Sequence, residues 1–195
     1  MGRPPLTRAL VVDRTRALVQ ADGVGGISLR SVARDLGVTA PALYAYVTDY
    51  DDLLAAVAET EFRRLRDSFS AVGGDDPVER IREMIRVYVA HAREEPHLHR
   101  LMFRYAPQVP VAAVDPTFGP ATDTFAAARA PVDEAIAAGR LTVIDPVLAS
   151  LTLWSAAHGV AEVLLMGFDF PEDVARALVE SVIAAVVGGI CRDVP

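Results

Sequence analysis

Apolar residues recur along this chain at intervals of three and four, the pattern of helices that bury one face. Val11, Val12, Thr15, Leu18 and Val19 make the first such stripe, which Gly23, Gly25 and Gly26 close. Ser28 then stands where an N-cap hydroxyl accepts an orphan backbone N–H, and Leu29, Val32, Ala33 and Leu36 follow at i, i+3, i+4 and i+7. Gly37 ends that helix, and Thr39 supplies a second N-cap hydroxyl for another helix that starts almost at once. Residues 28–47, SLRSVARDLGVTAPALYAYV, therefore read as two short helices joined by a glycine turn. That is the spacing of a helix-turn-helix, whose second helix enters the DNA major groove.

Further along, Asp49 caps a long helix over about 51–71, with Leu53, Leu54, Val57, Ala58, Glu61, Leu65 and Phe69 near one face. Gly73 and Gly74 break it. Asp76 and Pro77 open the next helix as N-cap and first helical residue, Ile81, Met84, Ile85, Tyr88 and Val89 give its stripe, and Glu94, Glu95 and Pro96 end it. A short helix over 97–105 leads into a stretch with Pro107, Pro110, Pro116 and Pro120, which forbids a continuous helix. Helices resume over 120–138, 146–166 and 171–191. No run alternates like a strand, so the fold class is all-α.

Of the 195 residues, 52% are hydrophobic and 23% charged, which suits a globular chain with a substantial core rather than a disordered one. The most apolar stretch, Ala177 to Cys191, contains Glu180 and two glycines and falls short of the roughly 18–20 apolar residues of a membrane span. At the N-terminus Asp13 and Arg14 follow only four apolar residues, too few for a signal-peptide core, and Leu6 stands where a myristoylation signal has Ser or Thr. The expectation is a cytoplasmic protein with no membrane partner. The single cysteine, Cys191, excludes an internal disulfide and a cysteine-based zinc site. A net charge of −7 argues at first against nucleic acid. The distribution reverses that: up to residue 48, Arg3, Arg8, Arg14, Arg16, Arg30 and Arg34 oppose Asp13, Asp22 and Asp35, a balance of +3, and the remainder carries −10. All 19 basic residues are arginine, from which no function follows.

With these residues in view, the chain resembles the TetR family of bacterial transcriptional regulators. The resemblance rests on Gly23, Ser28-Leu29-Arg30, Val32-Ala33, Leu36-Gly37-Val38-Thr39, Leu43-Tyr44 and Leu53-Leu54. Trp154, His158 and Gly159 within TLWSAAHGVAEVLLMG also look like a recurrent C-terminal subtype named for those three residues. The resemblance implies an all-helical homodimer: a three-helix DNA-binding domain over 1–50, with the motif at 28–47, a connecting helix over 51–74, and a larger ligand-sensing and dimerisation domain over 75–195. Its implied partners are double-stranded DNA, a second copy of the chain and a largely apolar small-molecule effector, with no cofactor. Two positions depart from the family pattern. Val47 replaces a usual phenylalanine, and Tyr50 replaces a usual lysine that meets a DNA phosphate, so Tyr50 would have to donate a hydroxyl hydrogen bond there instead.

On the second motif helix, Leu43 and Val47 are spaced to face the bundle, leaving Thr39, Ala40, Pro41, Ala42 and Tyr44 toward the groove. None makes the bidentate base contacts of Arg, Asn or Gln, so base reading is expected to be apolar at Ala40 and Pro41, with hydrogen bonds from Thr39 and Tyr44. Tyr44 has a packing role as its plainer reading. Arg30 is the candidate for a guanine or phosphate, against a solvated surface charge. Affinity would lean on Arg30, Arg34 and the N-terminal arginines, and the candidate DNA-facing set is Ser28, Arg30, Thr39, Ala40, Pro41, Tyr44, Tyr46 and Tyr50.

For the ligand, Met102, Phe103 and Tyr105 are candidate pocket walls, with core packing the default for such residues. Trp154, His158 and Glu162 lie at i, i+4 and i+8 on one face. They are either polar handles at a pocket or interface, or a core tryptophan beside a buried His158–Glu162 hydrogen bond, and the second reading is preferred. Gly159, Gly188 and Gly189 either permit close approach of a second copy or relieve crowding within one subunit. His97 and His99 diverge on a helix and give no metal site, and His91 stands alone. No nucleophile elbow, glycine-rich phosphate loop or HExxH motif supports an enzyme. The other rival is an architectural or partner-binding helical protein that holds DNA without reading a palindrome.

Overall fold

The structure, a computed structural model, describes residues 5–105 and 119–191. Arg3, Pro107, Pro110 and Pro116 lie outside the described residues. Among those described, the chain forms nine α-helices and no strand: α1 (Arg8–Asp22), α2 (Leu29–Leu36), α3 (Ala40–Leu43), α4 (Tyr50–Ser70), α5 (Pro77–Glu94), α6 (Pro96–Arg104), α7 (Pro120–Ala137), α8 (Pro146–Leu165) and α9 (Glu172–Ile190). The all-α class read from the sequence holds. The chain divides into two compact units, Met1–Phe62 with Glu95–Pro107, and Arg63–Glu94 with Gln108–Pro195. Helix α6, which the sequence reading put in the second domain, thus belongs with the first.

In the first unit, Val11, Val19, Val32, Leu36, Leu43, Leu53, Leu54, Val57, Leu98 and Leu101 share one buried core. The helix ends follow local chemistry. The Thr7 hydroxyl accepts the Leu10 N–H at 3.1 Å and starts α1. Gly23, at φ 69° and ψ 176°, ends it in a conformation that only glycine adopts readily. Ser28 caps α2 through a reciprocal box with Ser31, each hydroxyl accepting the other's backbone N–H, and left-handed Gly37 closes that helix. A buried ion-pair network then ties three helices: Arg16 of α1 donates to Glu61 of α4, whose side chain is fully buried, and to Glu95 at the start of α6 at 3.2 Å.

In the second unit, α5 packs against α7, α8 and α9. Val78, Ile81, Ile85, Tyr88 and Val89 form its buried stripe. Asp76 caps α5 and Asp145 caps α8, each ahead of a proline in the first helical position. Arg86 pairs with Glu180 and Arg93 with Glu172, joining α5 to α9. Helix α8 buries Ala149, Leu153, Ala157, Val160 and Ala161 along one face only. Of the eight large hydrophobic side chains that stay exposed among the described residues, seven lie between Ile144 and Val174.

Candidate nucleic-acid interface

The helix-turn-helix is built as the spacing requires, with α2 and α3 joined through Gly37, Val38 and Thr39. Helix α3 is shorter than expected. It ends at Leu43, and residues 44–46 continue as a turn in which the Tyr46 and Val47 N–H groups both donate to the Leu43 carbonyl, at 2.8 and 3.1 Å. Thr39 occupies the N-cap position, but its hydroxyl makes no cap bond, which corrects the capping expected of it. Buried Leu43 and Val47 anchor the inner face. Thr39, Pro41 and Tyr44 are exposed, Ala40 and Ala42 are half-buried, and Tyr44, at 60%, is the one exposed large hydrophobic side chain among the unit's described residues. Ser28 and Arg30 are exposed beside them at the start of α2.

Two aromatic candidates turn inward. Tyr46 packs half-buried on the core, and so does Tyr50, whose hydroxyl donates to the Val24 carbonyl at 3.3 Å. A phenol has one proton to donate. The phosphate contact expected of Tyr50 is therefore withdrawn, and burial, ahead of the opposing pull of Arg104, pushes its pKa up.

The arginines divide in the same way. Arg8 forks onto Asp52, Arg14 forks onto Asp35, and Arg16 lies in the network with Glu61 and Glu95. Arg30 and Arg34 are exposed and make no ion pair among the described residues. They sit one turn apart on α2, where a phosphate could reach both. Arg34 also lines an open cleft of about 210 Å³ with Leu18, Asp22, Gly26, Ile27, Ser31 and Asp35. Of the six arginines that make this end basic, three are thus engaged within the unit.

The ligand candidates fall into both units. Met102 is fully buried in α6, Phe103 meets Phe62 and His99 edge to face, and the Tyr105 hydroxyl donates to Asp51 at 2.6 Å. In the second unit the Tyr88 hydroxyl lies 2.7 Å from His158 Nδ1, and Trp154 stacks at a tilt over the His158 ring, 5.6 Å between centroids. Trp154 is 40% exposed, so the core tryptophan of the preferred reading is corrected, and Tyr88 is a partner of His158 that no spacing rule indicates. Burial drives the Tyr88 hydroxyl well above the ordinary tyrosine range, against the pull of its hydrogen bond with Trp154.

Known proteins bear on this arrangement. A family model described as "Tetracyclin repressor-like, C-terminal domain" matches residues 81–186, the span that holds Tyr88, Trp154 and His158. The uncharacterized HTH-type transcriptional regulator Rv0681 of Mycobacterium tuberculosis is 26% identical over 161 residues, 82% of this chain and 71% of that protein. A second HTH-type transcriptional regulator of that organism, Rv1816, is 33% identical over 67 residues, 34% of this chain and 29% of the relative. Among solved structures, a protein of unknown function from Rhodococcus sp. RHA1 superposes with a TM-score of 0.80 at 24% identity, covering 97% of this chain and 98% of the other. The resorcinol complex of RolR superposes with a TM-score of 0.64 at 19% identity, covering 91% and 86%. At those identities the likeness speaks for the fold.

Proposed function

The chain belongs to the TetR family and is a DNA-binding transcriptional regulator, and from that premise we propose that it acts as a homodimeric repressor which a small molecule releases from a palindromic operator. The observation that carries this reading is the exposed surface of Arg30, Arg34, Thr39, Pro41 and Tyr44, which combines unpaired cations with apolar and hydroxyl groups on the motif helices. One such surface offers few base contacts. Two related by a two-fold axis, about 34–36 Å apart, meet the two half-sites of a palindrome one DNA turn apart.

Helices α8 and α9 supply the surface for the second copy. Leu148, Thr152, Ser155, Gly159 and Val163 of α8, with Met166 just past its end, recur every three or four residues on or near the face that α8 does not bury, and Val174, Ala177, Ser181, Ala184 and Gly188 do so on α9. By length and composition α8 could cross a membrane. Its burial of Ala149, Leu153, Ala157 and Ala161 beside α5, α7 and α9, and its Tyr88–His158 bond, favour a second copy of the chain over lipid as the cover for its other face. A protein working on chromosomal DNA acts in the cytoplasm, and no catalytic step is called for.

The effector is proposed to bind in the second unit near the Tyr88, His158 and Trp154 group, where polar atoms lie within an otherwise apolar set of helices. It would release DNA by favouring the conformation whose half-sites are wrongly spaced. Moving the population from 1:99 to 99:1 takes about 10⁴-fold preference for that state.

Selection of bound duplexes from a random pool tests the DNA reading, and sedimentation tests the dimer. A palindrome is expected, with Arg30→Ala weakening its binding and leaving the dimer intact. With Arg30 and Arg34 of two subunits on phosphates, log affinity falls against log salt with a slope of about −4. Equal affinity for every duplex would mark an architectural protein instead, and a monomer would remove the palindrome. A thermal-shift screen of small aromatic and aliphatic compounds, followed by operator release with each hit, tests the effector.

A further inference from the structure

We propose that Arg8 is a positioning residue for sequence reading, holding the carbonyl end of the short groove-facing helix against the start of α4. The inference rests on the reading of Thr39, Pro41 and Tyr44 as the groove-facing groups. Helix α3 has four residues, lacks a side-chain cap bond at Thr39, and contains Pro41, which has no N–H. A segment that short does not hold its own shape in water. Leu43 and Val47 fix its inner side by burial, but Tyr44 lies on the open side, largely exposed.

The turn that follows is held from outside. Arg8 Nη1 donates to the Tyr46 carbonyl at 2.6 Å. The same guanidinium forks onto Asp52, with Nη1 to Oδ2 at 3.2 Å and Nη2 to Oδ1 at 2.9 Å. Asp52 Oδ2 also accepts the Thr48 N–H at 2.7 Å, and the Asp52 N–H donates to Asp49 Oδ1 at 2.8 Å. One arginine and one aspartate thereby fix the carbonyl of residue 46 and the N–H of residue 48, on both sides of Val47. Arg8 is the first residue of α1, whose direction the Thr7 cap sets. Helices α1 and α4 and the turn after α3 converge on this pair, and Tyr44 sits two residues before the carbonyl it grips. Only the planar guanidinium can reach a carbonyl and both carboxylate oxygens at once.

A direct phosphate contact by Arg8 would also affect DNA binding, and Asp52 separates the two roles. Removing the Asp52 charge beside DNA tightens binding if Arg8 and Asp52 act through simple electrostatics, and weakens sequence reading if they act by position. The experiment uses the full chain, the duplex that wild type enriches from a random pool, and an unselected duplex. Arg8→Lys, Arg8→Gln and Asp52→Asn are compared by fluorescence anisotropy across a salt series. Affinity for the enriched duplex is expected to fall about tenfold in all three, with affinity for the unselected duplex within about twofold and the salt slope unchanged. Equal losses on both duplexes in Arg8→Gln, with the slope reduced by about two, one for each subunit, would make Arg8 a phosphate contact and overturn the proposal. So would tighter binding by Asp52→Asn, or unchanged discrimination in folded variants. Should Arg8→Gln not fold, Arg8→Lys decides, because it keeps the charge and loses only the fork. A wild-type protein that enriches no sequence overturns the proposal together with the reading beneath it; variants that discriminate as wild type does overturn the proposal alone.

Discussion

Replacing Glu61 by leucine removes the buried carboxylate on which the first unit closes. The Glu61 side chain has no exposed surface, the Arg16 side chain keeps 13% of its own, and Glu95, at 17%, remains as the other acid on the guanidinium. Gln20 also stays in place, donating to Glu95 at 2.9 Å and accepting from Arg16 at 3.3 Å. Breaking a buried pair from one side costs about 3–5 kcal/mol, because the remaining charge stays out of water without its partner. Glu95 offsets part of that here, which puts the expectation near the lower figure, about 3 kcal/mol. Unfolding entropy of about 2.1 cal/mol/K per residue gives the 195-residue chain on the order of 0.4 kcal/mol/K, so Glu61→Leu lowers the melting midpoint by about 7 °C. Thermal unfolding followed by far-UV circular dichroism measures this, with the exposed Glu59→Ala as the control. The double variant Arg16→Met with Glu61→Leu should recover part of the loss, because it removes the stranded Arg16 charge and leaves Glu95 only its hydrogen bond from Gln20. A Glu61→Leu midpoint within about 2 °C of the control would refute the argument, since a loss of that size belongs to a surface substitution.

Gly23→Ala should destabilise by about 2 kcal/mol, as its backbone region is nearly closed to other residues and an added Cβ would lie 3.2 Å from His97 Nδ1; Gly25→Ala, where an added Cβ meets nothing within 4 Å, should leave the midpoint unchanged in the same melts. The Arg8 fork first, and the Thr48 N–H second, hold the Asp52 carboxyl below its usual range. Its contribution is therefore complete above the unfolded carboxylate pKa of about 3.9 and disappears as pH falls through the lower native value, so wild type and Asp52→Asn should differ at pH 7 and converge toward pH 2 in paired melts. Burial, then the hydrogen bond to Asp51, pushes Tyr105 up to about 12, and burial also raises Tyr50 and Tyr88. Absorbance at 295 nm at pH 11 should accordingly show fewer ionised tyrosines in the folded protein than the five of the unfolded chain; full ionisation without unfolding would count against the buried environments of all three.

What the sequence made legible was the local chemistry of helix ends. Ser28, Gly37, Asp76 and Asp145 mark their boundaries through short-range capping that any reader of the residues can apply, and the structure shows each of them doing it. The Arg16 network had no such signal, because its partners stand 45 and 79 residues away and meet only when three helices pack. Tyr50 was legible in part. It lies at i with Leu53, Leu54 and Val57 at i+3, i+4 and i+7, so helical phase alone turns it toward the core, against a role borrowed from a family lysine. Trp154 was hidden for the opposite reason: α8 is apolar nearly all round, and composition does not say that Leu153, Ala157, Val160 and Ala161 are the buried face and Trp154 one residue off it.

The charge balance shows most clearly how packing changes a sequence-level argument. A count of +3 up to residue 48 suggests a basic end that attracts DNA by its sum. Packing brings Asp52, Glu61 and Glu95, all from beyond that boundary, onto Arg8 and Arg16, and it pairs Arg14 with Asp35 inside it. The unit's arginines therefore do two different jobs. Some hold helices in register through forks that need carboxylates close by, and Arg30 and Arg34 stand exposed with no ion pair among the described residues. Acids near the motif do not by themselves oppose DNA binding in such an arrangement. Asp52 is the case in point, because the carboxylate that lowers the local charge is the group that fixes Arg8 on the Tyr46 carbonyl, and with it the turn that carries Tyr44.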